Sequence, residues 1–264
     1  MSRSPDRSAS TRSVGRRDVT EWRSRAGQRL IAAQRRIADR RSSRAAVVAT
    51  LAVGGAAAVA GVWATTFLYD AVAGRDGISR IDRPVLRAAI RLRGPVLDTS
   101  AAAIARGFGP VGMPLLAVAG GALVSIRSRD PLAFATVAAA GAGSLLMTLG
   151  GKGVVDRHRP DRRDAIPPYE HSPSFPSGHT LNATAVTGML AYLLMLEQRS
   201  TGAQVATAGT AAGVAAGVGL SRVLLGAHWF TDVLTGWSAG AGWLACVITT
   251  HRVHLTLREE ARAA

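Results

Sequence analysis

Cysteine, lysine and aromatic residues are nearly missing from this chain of 264 residues. The single thiol, Cys246, rules out an intrachain disulfide framework, and its place in an apolar run makes it a packing residue. Only 5% of residues are aromatic although 48% are hydrophobic, so the apolar content is carried by alanine, valine, leucine and glycine. Charge is also absent, in particular places. Six stretches, 45–69, 107–126, 131–151, 178–196, 200–221 and 233–250, contain no Asp, Glu, Lys or Arg. Each approaches the ~20 residues that cross a bilayer, and none shows the polar face of a soluble amphipathic helix. The pattern argues against a soluble core of buried helices. It predicts an all-α bundle of six transmembrane helices over 45–250, with small residues such as those of GTAAGVAAGVG (209–219) letting helices approach closely in lipid.

What charge there is comes almost wholly from arginine. The net charge is +15, Lys152 is the one lysine, and thirteen arginines fall in residues 1–44. Residues 1–44 are expected to be a basic cytoplasmic tail beside anionic lipid, disordered over 1–17 and an amphipathic surface helix over 18–41. A nucleic-acid-binding arm is the weaker reading of the same arginines. Residues 251–264 form a short C-terminal tail. The first apolar run is too long for the core of a cleaved signal peptide, so none is expected. With the N-terminus inside, the inner segments hold 19 basic residues and the outer ones 13. The bias rests on the tail. It predicts a multi-pass protein of the inner (plasma) membrane with both termini cytoplasmic.

Two crossings separate the loop at 152–177 from the loop at 222–232, so both emerge on one membrane face whichever way the chain is inserted. That face gathers KGVVDRHRP (152–160), PSGH (176–179) and SRVLLGAHWFTD (221–232). Charge at the end of a span is expensive and marks function. His228 and Asp232 are four apart, a spacing that on a helix lets the carboxylate orient the imidazole and leave the other ring nitrogen as a nucleophile. Ser177 and Gly178 stand at the expected N-terminus of the fourth span, where backbone N–H groups favour an anion. His179, beside them, is placed to donate a proton. Lys152, Arg159 and Arg222 supply charge complementary to phosphate.

In that order and spacing, Lys152, Arg159 and Pro160, then Pro176, Ser177, Gly178 and His179, then Ser221, Arg222, His228 and Asp232, the sequence resembles the type 2 phosphatidic acid phosphatase family. That family shares its phosphatase site with vanadium haloperoxidases. The resemblance covers about 45–250 and every signature position matches. It implies that His228 attacks phosphorus with Asp232 orienting it, and that His179 is the acid–base partner. It further implies that Lys152, Arg159, Arg222 and the Ser177–Gly178 segment hold the phosphoryl oxygens. No metal or other cofactor is implied, and the sequence has no dense Asp/Glu/His cluster to hold one.

The expected function is hydrolysis of a lipid phosphate or diphosphate at the outer membrane face. Polyprenyl diphosphate is slightly favoured over phosphatidylglycerol phosphate and phosphatidic acid. The alternatives are a vanadate-dependent haloperoxidase-like enzyme and a non-catalytic transporter or scaffold. The segment 70–106 carries seven arginines on the same face. Its stretch 82–93 reads as a short basic helix with Val85, Leu86, Ile90 and Leu92 toward lipid, either drawing in an anionic headgroup or lying on the membrane surface.

Overall fold

The computed structural model describes residues 13–14, 17–18, 44–74 and 76–263. Of the N-terminal tail it shows only two paired two-residue strands, β1 (Ser13–Val14) and β2 (Arg17–Asp18). The disordered segment and surface helix expected there otherwise lie outside the described residues, as does Arg75.

Eight α-helices follow among the described residues: α1 (Arg44–Gly74), α2 (Asp82–Arg91), α3 (Pro95–Gly107), α4 (Gly112–Ser128), α5 (Pro131–Val155), α6 (Gly178–Glu197), α7 (Thr201–Leu224) and α8 (Phe230–Ala263). Five of them, α1 and α5 to α8, are each long and apolar enough to cross a membrane. At 1.5 Å per residue, α1 and α8 run about 46 and 51 Å, beyond the ~30 Å hydrocarbon layer.

The second span differs from expectation. Instead of one helix over 107–126, α3 and α4 form a pair bent by 60°. The cause is local: GFGPVGMP (107–114) places three glycines and two prolines in eight residues, and proline removes the donor and clashes with the preceding turn. Two other helix starts carry ordinary side-chain caps. Asp130 accepts from Leu132 N–H at 3.0 Å with Pro131 in the first turn, and Ser200 accepts from Ala203 N–H at 3.1 Å.

Helix α6 is the central strut, packed on α5, α7 and α8. Its Ala183, Val186 and Met189 are fully buried with Val137 and Ala140 of α5 and Val218 of α7. Helix α1 packs along α8 and turns its other side outward, where Trp63 and Phe67 stack at 5.9 Å. Exposed apolar side chains on α1, α4 and α5 form the surface expected to face lipid. Helix α2 exists as predicted, but Leu86 is buried with Asp82 rather than turned to lipid; Leu92 remains exposed.

Candidate active site

The loops 156–177 and 225–229 meet at one end of the bundle, as parity required. Backbone hydrogen bonds join them to the helix ends. Ser177 N–H donates to the Asp232 carbonyl (3.1 Å), Ser174 N–H to the Arg157 carbonyl (2.8 Å) and Ile166 N–H to the Leu225 carbonyl (2.8 Å). After α7 the chain folds back tightly. The Arg222 carbonyl accepts from Ala227 and His228 N–H at 3.0 and 3.2 Å, which sets His228 beside Arg222. Gly226 makes that turn at φ 66°, and a Cβ there would strike the Asp164 carbonyl.

His228 and Asp232 are both buried. The shared helix face expected of them is not what places them. Helix α8 begins at Phe230, so His228 lies in the turn before it. Asp232 sits in the first helical turn and reaches back to Trp229 N–H at 2.9 Å, the reciprocal half of a capping box. Its Oδ2 lies 3.6 Å from His228 Nδ1, too long for a direct hydrogen bond. The Ser174 hydroxyl lies between them, hydrogen-bonded to Asp232 Oδ2 and 3.5 Å from Nδ1.

The tautomer of His228 follows from its other side. Arg159 Nη1 lies 3.1 Å from His228 Nε2, and guanidinium can only donate. Nε2 therefore carries the lone pair and the proton sits on Nδ1, toward Ser174 and Asp232. This is the form in which Nε2 can act as a nucleophile.

A second carboxylate locks Asp232 in place. Arg157 donates to Asp232 Oδ1 at 2.5 Å and to Asp82 Oδ2 at 2.7 Å. Asp82, at the start of α2, also accepts from Thr231 N–H (2.9 Å) and the Thr231 hydroxyl (2.7 Å). The 70–106 segment thus contributes a buried strut as well as surface charge. Arg93 adds a clasp, donating to the Leu224 and Asp164 carbonyls at 2.8 and 2.7 Å. Arg80 and Arg83 line a separate recess with Arg157 and Trp229, and among the described arginines of this segment only Arg106 lines the groove described below.

The other predicted residues fall as follows. Arg222 is fully buried at the end of α7; its Nη2 pairs with Glu170, while Nε and Nη1 have no partner. His179, in the first turn of α6, bonds through Nε2 to the Ala105 carbonyl at 3.2 Å and turns Nδ1 toward Glu170 at 3.5 Å. A carbonyl only accepts, so Nε2 is the protonated nitrogen and Nδ1 faces the pocket. Arg159 donates to the Ser172, Pro173 and Ala227 carbonyls as well as to Glu170. Lys152 Nζ reaches Ser172 Oγ at 3.0 Å and the Pro173 carbonyl at 2.5 Å. The Ser177 hydroxyl is turned to Thr180 at 2.9 Å rather than into the pocket. At Gly178 the missing side chain makes room for α5, since a Cβ would come within 2.6 Å of Thr148 Cγ2. His158 and His171 are exposed.

Four residues outside the sequence reading complete the site: Asp82, Arg157, Ser174 and Glu170. Glu170 is the most informative. Its Oε2 lies 2.7 Å from Arg159 Nη2 and 3.7 Å from His228 Nε2, and its Oε1 pairs with Arg222 and lies 3.5 Å from His179 Nδ1. Burial alone would raise this carboxyl, but the positive charge of the pocket, Arg222 included, holds it well below the usual range. Burial pushes the Arg159 guanidinium down, a shift that Glu170 opposes. A signal for Glu170 existed: it is the one glutamate between residues 22 and 196.

An open groove of about 710 Å³ leads from this pocket along α3 to α6. Its polar end carries Lys152, Glu170 and His179, and its long wall is apolar, including Phe108, Met113, Val118 and Leu145.

Comparison with known proteins identifies the family. Residues 131–255 match the PAP2 superfamily. The chain is 33% identical over 168 residues to phosphatidylglycerophosphatase B of Bacillus subtilis (strain 168), covering 62% of this chain and 80% of that one. It also resembles the crystal structure of a transmembrane PAP2-type phosphatidylglycerolphosphate phosphatase from Bacillus subtilis. That match has a TM-score of 0.66 at 27% identity and covers 73% of this chain and 96% of the other. The six-span reading, the order of the three motifs and these matches lead to one conclusion: the chain is a multi-pass membrane protein of the PAP2 superfamily.

Proposed function

We propose that the protein is a membrane phosphatase that removes a phosphoryl group from a lipid phosphate or diphosphate through a phosphohistidine on His228. One observation carries the reading. An anion, the Glu170 carboxylate, is held where Arg159, Arg222, His179 Nδ1 and His228 Nε2 converge. A phosphoryl group placed there meets two guanidinium groups, a nucleophile and a proton donor together.

The chemistry follows from the ring orientations. The Nε2 lone pair of His228 attacks phosphorus while the P–O bond to the lipid breaks. The departing oxygen takes a proton from Nδ1 of His179 in its imidazolium form, whose Nε2–H stays on the Ala105 carbonyl. Neutral His179 then accepts a proton from water, whose oxygen attacks phosphorus, and the P–N bond breaks to release phosphate and free His228. The Nδ1 proton of His228 stays oriented by Ser174 and Asp232 throughout, and Arg159 and Arg222 balance the charge developing on the phosphoryl oxygens. Lys152 supports this by fixing the Ser172 hydroxyl and the Pro173 carbonyl, both of which also accept from Arg159.

The groove supports a lipid substrate, with the headgroup at His179 and a chain along Phe108, Met113 and Leu145. The names of the two relatives make phosphatidylglycerophosphate the first candidate, ahead of polyprenyl diphosphate and phosphatidic acid. The arginine bias supports cytoplasmic termini in a plasma membrane and a site on the outer face. The test is release of inorganic phosphate in detergent, without added metal, from a panel of lipid phosphates by wild type and His228→Ala. Release by wild type that the variant abolishes is expected. Equal release by both would overturn the assignment.

A further inference from the structure

We propose that Glu170 is an internal stand-in for the substrate's phosphate, a tethered anion that a ligand must displace and that selects for a doubly charged phosphoryl group. The inference rests on the functional reading above and adds a specificity-determining residue to it.

Three observations support it. First, the carboxylate has no structural partner of its own; every group it faces, Arg159, Arg222, His179 and His228, belongs to the reacting pocket. Second, it fills that pocket incompletely. Arg222 is wholly buried, yet its Nε and Nη1 have no partner. A buried cation with two unsatisfied donors is costly. A planar group with two oxygens cannot reach them, whereas a tetrahedral phosphoryl group offers an additional oxygen in another direction. The pocket is therefore shaped for a larger oxyanion than the one it holds. Third, Glu170 has somewhere to go. Its segment is anchored on either side, by Ile166 N–H to Leu225 and by Lys152 and Arg159 to Ser172 and Pro173. Between these anchors, Tyr169, Glu170 and His171 line the open groove, and the Glu170 side chain is 22% exposed. A change of side-chain rotamer at Glu170 clears the pocket without disturbing either anchor.

The consequence is a charge threshold. A phosphomonoester dianion outcompetes one carboxylate for two guanidinium groups. A phosphodiester or sulfate ester bears a single negative charge per group and gains little over Glu170. The carboxylate thus screens the pocket against the diester lipids that make up the surrounding membrane.

The experiment is equilibrium binding of ³²P-labelled inorganic phosphate to the full-length protein in detergent, comparing wild type, Glu170→Gln and Arg222→Met, with the monoanion dimethyl phosphate as competitor. Glu170→Gln keeps the shape and removes the charge. It should bind phosphate at least tenfold more tightly and become sensitive to dimethyl phosphate, while Arg222→Met loses binding. Unchanged or weaker binding by Glu170→Gln, with binding still lost in Arg222→Met, would overturn the stand-in and leave the phosphatase site intact. Full binding by Arg222→Met would overturn both, because phosphate would then sit elsewhere. Should Glu170→Gln fail to fold, Glu170→Ala takes its place, with the same tighter phosphate binding expected and unchanged or weaker binding refuting the idea.

Discussion

Removing Arg157 should damage this protein more than removing any of its solvent-exposed arginines. The side chain is 17% exposed and bridges two carboxylates that are almost wholly buried, Asp82 at 4% and Asp232 at 0%. In Arg157→Met the volume is roughly kept, but Asp82 and Asp232 lose their shared cation. Breaking a buried ion pair from one side costs about 3–5 kcal/mol, because the stranded charge remains. Thr231 still satisfies Asp82, and Ser174 and Trp229 still satisfy Asp232, so the loss belongs at the lower end, about 3 kcal/mol. Neutralising one stranded charge should return part of it, and Arg157→Met with Asp82→Asn should be more stable than Arg157→Met alone. The assay is thermal unfolding in detergent followed by a thiol-reactive dye, since Cys246 in α8 is partly buried and the chain has no other cysteine. A loss under about 1 kcal/mol, the scale of a surface ion pair, or a double variant no more stable than the single, would refute the bridge.

Three further outcomes follow from the same geometry. Gly178→Val should lose about 1–3 kcal/mol by driving a side chain into Thr148, and Thr148→Ala should recover part of it; thermal unfolding of the pair checks this. Gly141→Leu adds bulk to the groove where a Cβ meets nothing closer than 3.7 Å. Its KM for a long-chain lipid phosphate should rise at least about tenfold, with little effect on a short-chain soluble phosphate, as steady-state kinetics would show. The Glu170 carboxyl is depressed below its ordinary value of 4.5. Its contribution to stability is therefore complete above that pH and declines progressively as pH falls from there toward the depressed native value. The stability difference between wild type and Glu170→Gln should be flat from pH 6 to 8 and shrink toward pH 3, measured by denaturation at each pH.

Much of this was legible in the sequence because lipid imposes coarse rules. Runs without charge located five of the spans to within a few residues at most of their ends, and parity put two distant loops on one face. The broken second span escaped because counting charges ignores backbone chemistry, although Gly107, Gly109, Pro110, Gly112 and Pro114 spelled the break. The spacing of His228 and Asp232 suggests a helical face, yet the helix starts at Phe230 and Asp232 serves as its capping acid. The Asp82–Arg157–Asp232 bridge joins residues 75 apart on either side of the arginine. No local pattern records such a meeting. Glu170 stands out only by its isolation as a glutamate, since its partners Arg222 and His228 come from the end of α7 and the turn after it.

The claim on which the rest depends is covalent attack by His228. Rapid mixing of the purified protein with a ³²P-labelled lipid phosphate, followed by alkaline quench and peptide mapping, tests it directly. The account predicts an acid-labile, base-stable label on His228 that forms and decays within turnover and is missing in His228→Ala. Turnover at the wild-type rate by His228→Ala, or a label carried by a different residue, would contradict it.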